Sequence, residues 1–357
     1  MSAKKMKAIV KTKKAPGAEL REVEIPKVKP NEVLVKVFAT AICGSDAKVY
    51  EWSPFFAAVY ENIPNIMGHE LGGEVVEVGS AVNSVAVGDH VSAESHVTCG
   101  HCIQCLTGQQ HICANMRILG FSTPGCFAEY ASLPESVVWR NDPALPMDIA
   151  ALQEPLGNAI YCTLVEPVTA KSVVIFGDGP IGLFAVGVAK ASGAALVVLV
   201  GLDPFRMELG PKMGADVVID AANEDVITRI SELTDGVGAD VVLEMAGAAE
   251  AVSQGLEVIR KGGRFSAFGL HNDKVTVDYN EILHKGIVIY GIHGRLMFDT
   301  WVKAKNLLSA GLLDLRPVIT HHLPLEDFEE GFSMLCSKPT RAAKVLLYPD
   351  SAKLPKK

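Results

Sequence analysis

The chain has 357 residues, of which 49% are hydrophobic and 21% are charged, and its formal net charge is −8. A chain of this length exceeds the usual size of one compact core, so we expect two domains. The acidic balance argues against a nucleic-acid partner, which requires a basic stripe. Because no apolar run reaches the length of a bilayer span and the first residues lack the apolar core of a signal peptide, we expect a cytoplasmic protein without a membrane partner.

Residues 1–150 are predicted to form a mainly β domain. Short β-branched segments bounded by Gly, Pro or Asn recur there: KAIVKT, LREVEI, EVLVKVFATAIC, GEVVEVGS and DHVSAE. Two of these segments border the turns that carry Cys43 and His69. The reactive side chains of these turns would therefore lie on loops that a sheet positions, as is common for catalytic groups.

Residues 43–70 contain the ligand types of a catalytic zinc site. Cys43 opens the sequence Cys-Gly-Ser-Asp, which supplies Asp46, and His69 and Glu70 follow a glycine. Thiolate, imidazole and carboxylate are ligands that catalytic zinc accepts when one coordination position stays open. Asp46 would orient the histidine through its other ring nitrogen. Taken together, these residues favour a metal site over a buried cysteine and an ordinary turn histidine.

Four of the eight cysteines lie close together, at Cys99, Cys102, Cys105 and Cys113. In a reducing cytosol such a group indicates a metal site rather than a disulfide framework. Four thiolates in one short lobe can close a tetrahedron around a structural zinc ion, and an iron–sulfur cluster accepts similar ligands. The pattern therefore predicts a second, structural metal site.

Residues 149–160 are predicted to begin a helix that carries Glu154. This carboxylate would either reach the catalytic metal as a fourth or exchanging ligand, or only stabilise the N-terminus of the helix. The spacing favours neither alternative.

From residue 171 the chain alternates between strand and helix patterns. Gly177, Gly179 and Gly182 form G-x-G-x-x-G between a buried strand and an apolar helix, with Pro180 and Ile181 inside the motif. This setting is typical of a turn that holds a dinucleotide pyrophosphate at a helix N-terminus. Six strand segments with helices between them predict an α/β domain with a doubly wound parallel sheet. The C-terminal DSAKLPKK is expected to be disordered.

The end of the second strand of this domain lacks the expected acid. A carboxylate there normally binds the adenosine ribose hydroxyls of NAD. The chain instead has Gly201, followed by Asp203 and Arg206. Gly201 leaves room for the 2′-phosphate of NADP, whereas Asp203 would either bind the ribose or repel that phosphate. Both cofactors stay open, with NAD slightly favoured.

These motifs, in this order and over nearly the whole chain, resemble the zinc-containing medium-chain alcohol dehydrogenases. The similarity rests on ATAICGSD, ESHVTCGHC, LQEPLGNA, GIHGRLMFDTW and PVITHHLPL. It implies a GroES-like catalytic domain at 1–155, to which 296–357 return, a Rossmann domain at 156–295, and a homotetramer. Within the family the chain is most similar to the branch that oxidises L-threonine to 2-amino-3-ketobutyrate, and next to the polyol branch.

The resemblance also implies two zinc ions in each chain. Cys43, His69 and Glu70 would hold the catalytic ion, and Glu154 would approach it or exchange onto it. The four clustered cysteines would hold the structural ion. A zinc ion held in this way lowers the pKa of an alcohol hydroxyl, and the nicotinamide then accepts the hydride.

Further roles follow from the resemblance. Ser45 would take the substrate proton outward, Asp46 would support the zinc histidine, and His96 would lie near the substrate. Cofactor contacts are implied for Gly177, Gly179, Gly182, Arg206, Leu270, Ile292 and Arg295.

One position departs from the family pattern, because Lys48 stands where the family has the histidine that is the outer member of the proton relay. A neutral lysine would relay protons, a charged lysine would attract an anionic substrate group, and a solvent-facing lysine would leave the relay to water. A dehydrogenase of polyols or of another, possibly anionic, hydroxy substrate is therefore the alternative. An NAD(P)-binding zinc protein without activity is the alternative of another class, and the retained Cys43, Ser45 and His69 argue against it.

Overall fold

The computed structural model describes residues 4–54, 57, 60, 62–271, 273–337 and 339–355. The chain divides into two compact units. The first contains Met1–Glu154 and Ile319–Lys357, and the second contains Pro155–Val318. The chain passes from the first unit to the second within one helix, Gln153–Leu164.

The chain returns to the first unit later than the sequence predicts. The sequence assigns residues 296–318 to the first domain, but in the structure they belong to the second unit. Tight packing within that unit explains the difference. A Cβ atom on Gly187 would lie 2.5 Å from Cδ1 of Leu313, and one on Gly157 would lie 3.3 Å from Oγ1 of Thr300. The segment therefore packs against glycine positions of second-unit helices before the chain returns.

The first unit is mainly β, as predicted. Its strands are β1 Lys5–Lys11, β2 Glu19–Glu24, β3 Glu32–Ala41, β4 Asn65–Ile66, β5 Glu70–Val78, β6 His90–Ala93, β7 His96–Val97, β8 Arg117–Ile118, β9 Tyr130–Pro134, β10 Val138–Arg140, β17 Ile319–Pro324 and β18 Lys344–Tyr348. Its helices are α1 Gly44–Tyr50, α2 Ile103–Leu106, α3 Met147–Ala151 and α12 Phe328–Cys336, and α4 Gln153–Leu164 begins in it. The core beneath the sheets is built from apolar side chains such as Val35, Leu71, Val91 and Phe127.

A seven-stranded sheet positions the reactive turns of the first unit. Its strand order is β10-β6-β5-β3-β18-β17, and β9 also pairs with β3. A second sheet has the order β2-β1-β4, and β7 pairs with β8. Strand β3 pairs antiparallel with β5, so that Ala41 lies opposite Glu70. On its other side β3 pairs with β18, where Ala41 lies opposite Leu346. The end of β3, the start of β5 and the middle of β18, which are distant in sequence, therefore lie side by side at Ala41.

The second unit contains the doubly wound parallel sheet that the sequence predicts. Its strands are β11 Ser172–Phe176, β12 Leu196–Gly201, β13 Val217–Asp220, β14 Ala239–Glu244, β15 Ile259–Ala267 and β16 Val288–Gly291, in the order β13-β12-β11-β14-β15-β16. The helices after α4 are α5 Pro180–Ala191, α6 Pro204–Met207, α7 Gly210–Met213, α8 Val226–Leu233, α9 Ala249–Val258, α10 Tyr279–Lys285 and α11 Asp299–Ser309. All neighbouring strands are parallel. This confirms the predicted fold class.

Two smaller findings concern the chain as a whole. Within the described residues, the structure contains no helix that is both long and apolar enough to cross a membrane. The C-terminal segment 350–357, which the sequence predicts to be disordered, includes a short 3-10 helix at Ser351–Lys353. Residues 356–357 of that segment lie outside the described residues.

Candidate active site

Neighbouring strand ends bring three of the candidate zinc ligands together. Cys43 follows the end of β3, and His69 precedes the start of β5, next to the paired residues Ala41 and Glu70. One ligand atom from each of Cys43, His69 and Glu70 lies within 4.8 Å of the others. These atoms are close enough for one metal ion to bind all three.

Asp46 connects the cysteine turn to the histidine. It lies in the first turn of α1, and its Oδ2 accepts a hydrogen bond from the backbone N–H of Cys43 at 3.0 Å. Its Oδ1 lies 3.4 Å from Nδ1 of His69, and both side chains are buried. Burial alone would lower the pKa of His69, but Asp46 and Cys43 raise it well above its usual range. One carboxylate thus caps the helix and lies beside the imidazole, the position that the predicted orienting role requires.

Glu70 forms a buried ion pair that the sequence analysis missed. Nζ of Lys344 lies 2.6 Å from Oε1 and 2.5 Å from Oε2 of Glu70, and both residues are buried. Burial works against a charged lysine, but Glu70, together with Cys43 and Glu154, outweighs it and raises the pKa of Lys344. The available sequence signal is the lysine at the start of the otherwise apolar strand KVLLY.

The other candidate catalytic residues lie around this group. Glu154 is buried in the first turn of α4, where it is one of the carboxylates that raise the pKa of Lys344, but it does not belong to the group of three ligand atoms. His96 is buried at the start of β7, and its backbone N–H donates to Oε1 of Glu94 at 3.0 Å. Ser45 and Lys48 are half-buried, three residues apart on α1, so their side chains share one side of that helix.

The sulfur atoms of the four clustered cysteines lie close together and are not joined in disulfides. One ligand atom from each lies within 4.8 Å of the others, and all four residues are free cysteines. Sγ of Cys102 lies 3.4 Å from Sγ of Cys105 and 3.8 Å from Sγ of Cys113. Sγ of Cys113 lies 3.6 Å from Sγ of Cys99. Sulfurs at Zn–S distances of about 2.3 Å in a tetrahedron stand about 3.8 Å apart. The thiols therefore fit a single tetrahedral ion better than a cluster that binds each sulfur to a different iron.

Backbone N–H groups point at these sulfurs. A hydrogen bond from the backbone of His101 is the main reason that the pKa of Cys99 falls to about 5. The backbone of Cys105 lowers the pKa of Cys102 in the same way. Because such hydrogen bonds favour the thiolate, which is the metal-binding form, the loop is suited to a metal ion.

The glycine motif of the second unit forms a tight turn before α5. Gly177 has a φ of +119°, and a Cβ atom there would lie 2.9 Å from the backbone N of Ala246. A Cβ atom on Gly182 would lie 1.9 Å from the carbonyl oxygen of Gly177, so residue 182 must be glycine. Gly179 is the N-cap of α5, and a Cβ atom on it would have no other atom within 4 Å. With Pro180 and Ile181 opening α5, the turn offers a helix N-terminus and an open approach for a pyrophosphate.

A side chain from the glycine turn lies at the end of β12. A Cβ atom on Gly201 would lie 2.6 Å from Oδ2 of Asp178. That oxygen accepts hydrogen bonds from the backbone N–H groups of Leu202 and Asp203, each at 2.7 Å. Asp203 in turn caps α6 by accepting from the backbone N–H of Arg206 at 3.1 Å. Asp178 stands at a variable position of the glycine motif, so the sequence alone does not predict its contact with the end of β12.

The remaining candidate cofactor residues differ in their surroundings. Leu270 is exposed, whereas Ile292 and Arg295 are buried in the second unit. Nη1 of Arg295 donates to Oδ1 of Asn158 at 3.0 Å, and the side chain packs over Gly157. Arg206 is half-buried, and Asp178 and Asp203 act against the lowering of its pKa by burial.

Comparisons with known proteins agree with this architecture. Residues 29–143 match the alcohol dehydrogenase GroES-like domain, and residues 180–310 match the zinc-binding dehydrogenase family. The chain is 48% identical to the L-threonine 3-dehydrogenase of Pyrococcus abyssi over 335 residues, which covers 93% of this chain and 96% of that protein.

Two solved structures are similar over almost the whole chain. A zinc-binding dehydrogenase from Sinorhizobium meliloti 1021 bound to NADP has a TM-score of 0.90 at 29% identity, covering 97% of this chain and 100% of its own. A short chain alcohol dehydrogenase from Escherichia coli CFT073 complexed with NADH has a TM-score of 0.89 at 27% identity, covering 96% and 99%.

Proposed function

The chain belongs to the zinc-binding medium-chain alcohol dehydrogenases, and from that membership we propose that it oxidises L-threonine to 2-amino-3-ketobutyrate with NAD(P). The proposed substrate rests on the 48% identity to an L-threonine 3-dehydrogenase over nearly the full length of both chains. The convergence of Cys43, His69 and Glu70 supports a catalytic metal. When bound, zinc supplies the Lewis acid that lowers the pKa of the alcohol hydroxyl, and the cofactor supplies the hydride acceptor.

Cys43, His69 and Glu70 are proposed to hold the catalytic zinc, with Glu154 as an approaching or exchanging carboxylate. Lys344 makes this set electrostatically reasonable. A thiolate and two carboxylates carry three negative charges, which the two charges of Zn²⁺ and the one of Lys344 balance. The buried Asp46 carboxylate beside His69 adds one further negative charge, so Lys344 reduces the charge of the buried site without cancelling it.

Ser45, Lys48 and His96 are proposed to serve the substrate. Ser45 would accept the hydroxyl proton while releasing its own along α1 toward Lys48, which shares its side of the helix and can take the proton only as a neutral amine. Asp46 would hold the His69 imidazole in place through Nδ1, leaving the other ring nitrogen for the metal. His96 would contact the substrate.

Cys99, Cys102, Cys105 and Cys113 are proposed to bind a structural zinc. Their sulfur separations and the N–H groups aimed at them support one closed tetrahedral site. The glycine turn and the segment from Gly201 to Arg206 are proposed to bind the dinucleotide, together with Leu270, Ile292 and Arg295. From the family resemblance we also propose a cytoplasmic homotetramer, which light scattering of the purified protein would test.

A second candidate substrate is a polyol or an anionic hydroxy compound. The observation that favours it is Lys48, a half-buried cation on the same side of α1 as Ser45. A charged ammonium group there would bind an anionic group of the substrate rather than relay its proton.

Initial rates of reduced-cofactor formation by the zinc-replete protein test both candidates. L-threonine, sorbitol, xylitol and butane-2,3-diol are each assayed with NAD and with NADP. Turnover confined to L-threonine supports the proposal, and turnover of a polyol without threonine activity replaces it by the second candidate. A protein that binds only the structural zinc and acts on none of these alcohols would contradict the dehydrogenase assignment.

A further inference from the structure

The carboxylate of Asp178 occupies the space at the end of β12 that a side chain on residue 201 would fill. A Cβ atom on Gly201 would lie 2.6 Å from Oδ2 and 2.9 Å from Cβ of Asp178. A real Cβ atom does not approach another side chain so closely, so the two positions depend on each other. The same Cβ atom would also lie 2.7 Å from Cγ of Met207, so a side chain at position 201 would displace Asp178, Met207 or both.

We propose that Asp178 is the residue that selects NAD over NADP, replacing the carboxylate that normally ends the second strand of this fold. The inference rests on the proposed function only in that the protein binds a nicotinamide dinucleotide. The inference adds to the proposed function the residue that determines cofactor selectivity and the cofactor that it favours. It does not depend on which alcohol the protein oxidises.

The hydrogen bonds of Asp178 hold its carboxylate at this place. Oδ2 accepts from the N–H groups of Leu202 and Asp203, which begin the turn after β12. These two N–H donors fix the position of the carboxylate. Because both bonds use Oδ2, Oδ1 can accept a hydrogen bond from the 2′-hydroxyl of an adenosine ribose, the contact that a strand-end acid makes in this fold.

The same hydrogen bonds disfavour a 2′-phosphate. The N–H groups of Leu202 and Asp203 would be natural donors to a phosphate at this turn, but Asp178 already uses them. Arg206 is the nearby cation, and its charge interacts with both Asp178 and Asp203. Two carboxylates and one guanidinium leave the turn with a net negative charge, which would repel the phosphate of NADP.

Gly201 alone would lead to the opposite expectation. A strand that ends without an acid leaves room for a phosphate, but that room is filled by a carboxylate from the neighbouring turn. A carboxylate therefore lies at the end of β12 although residue 201 is glycine.

Direct binding of NADH and NADPH, followed by cofactor fluorescence or calorimetry, tests the inference without any alcohol substrate. We expect the unmodified protein to bind NADH at least about tenfold more tightly than NADPH, since a like charge beside a buried phosphate is strongly unfavourable. Asp178→Asn is nearly isosteric and removes only the charge. It should tighten NADPH binding and reduce the ratio of the two affinities by about tenfold.

Two further variants separate selectivity from structure. Glu208→Gln removes one negative charge from an exposed residue directly after α6, and it should leave the ratio almost unchanged. The double variant Asp178→Gly with Gly201→Asp returns the acid to the strand end, where only the Met207 side chain, with Cγ 2.7 Å from the new Cβ atom, has to shift, and it should keep the preference for NADH.

Specific results would overturn the inference. It fails if the unmodified protein binds NADPH as tightly as NADH, whatever the variants do. It also fails if Asp178→Asn weakens the binding of NADH and NADPH alike, which is the effect of a merely structural aspartate. The same holds if Glu208→Gln changes the ratio of the two affinities as much as Asp178→Asn does. By contrast, normal NADH selectivity in a protein that does not oxidise threonine would overturn the proposed substrate and leave this inference standing.

Discussion

Lys344 Nζ lies within 2.6 Å of both carboxylate oxygens of Glu70, and the two residues are separated by 274 positions in the chain. Neither is exposed to solvent, with 2% of the Lys344 surface and none of the Glu70 surface accessible. The lysine reaches the site because β18 pairs with β3, whose other neighbour β5 begins with Glu70. The C-terminal strand therefore supplies one of the charges that the candidate zinc site requires.

Replacing this lysine should destabilise the protein and its catalytic metal site together. Lys344→Met would leave Glu70 buried without its partner, and breaking a buried ion pair in this way costs about 3–5 kcal/mol. We expect a lower free energy of unfolding in urea and the loss of one zinc ion per chain, measured by metal analysis.

The controls for this prediction use both partners. Lys344→Arg keeps the charge and should retain the metal. The double variant Lys344→Met with Glu70→Gln should recover much of the stability but not the zinc, because it removes the unpaired charge together with a ligand. Full metal content in Lys344→Met would refute the role of the ion pair in the site.

The two proposed metal sites should be separable by mutation. Cys105→Ser removes one sulfur from a closed tetrahedron, so we expect loss of one zinc ion per chain and a large fall in thermal stability. Cys43→Ala should lose the other zinc ion and the activity, while thermal stability changes little. Metal analysis and thermal unfolding of both variants check this. An equal loss of stability in the two variants would show that the cysteine lobe is not a structural site.

Lys48 should act in proton transfer from Ser45. Lys48→Met is expected to lower kcat for L-threonine by about tenfold, less than the loss of a direct general base, because water replaces it in part. Lys48→His would restore the family residue and should keep kcat, because histidine can also accept and release the proton. A rise in KM without a change in kcat for Lys48→Met would instead assign the lysine to substrate binding.

The predictable parts of the fold and site are those in which neighbouring residues in the sequence are also neighbours in space. The four cysteines lie within one short lobe, and the glycine motif lies within one strand–turn–helix, so spacing alone indicates both. Lys344 and Asp178 were missed because their roles depend on strand pairing and on a contact with the next turn. The return to the first unit was predicted at residue 296 instead of Ile319 for the same reason, since the contact between Leu313 and Gly187 is visible only in three dimensions.

Lys11 provides a prediction on the pH dependence of stability. Its Nζ is buried and donates to the carbonyl oxygens of Ala15 at 2.6 Å and Gly17 at 2.8 Å, and it lies 5.0 Å from the ring centroid of Trp52. Burial lowers its pKa from 10.5 to about 8. Between these values the unfolded chain binds more protons at this residue than the folded chain does, so this residue makes the free energy of unfolding rise with pH. Below pH 8 both states are protonated, and the contribution is constant.

Lys11→Met should therefore lose this rise between about pH 8 and pH 10.5, as measured by urea unfolding of both proteins at several pH values. The same substitution at the exposed Lys27 is the control, and parallel pH profiles for the unmodified protein and Lys11→Met would show that the pKa of Lys11 is not lowered.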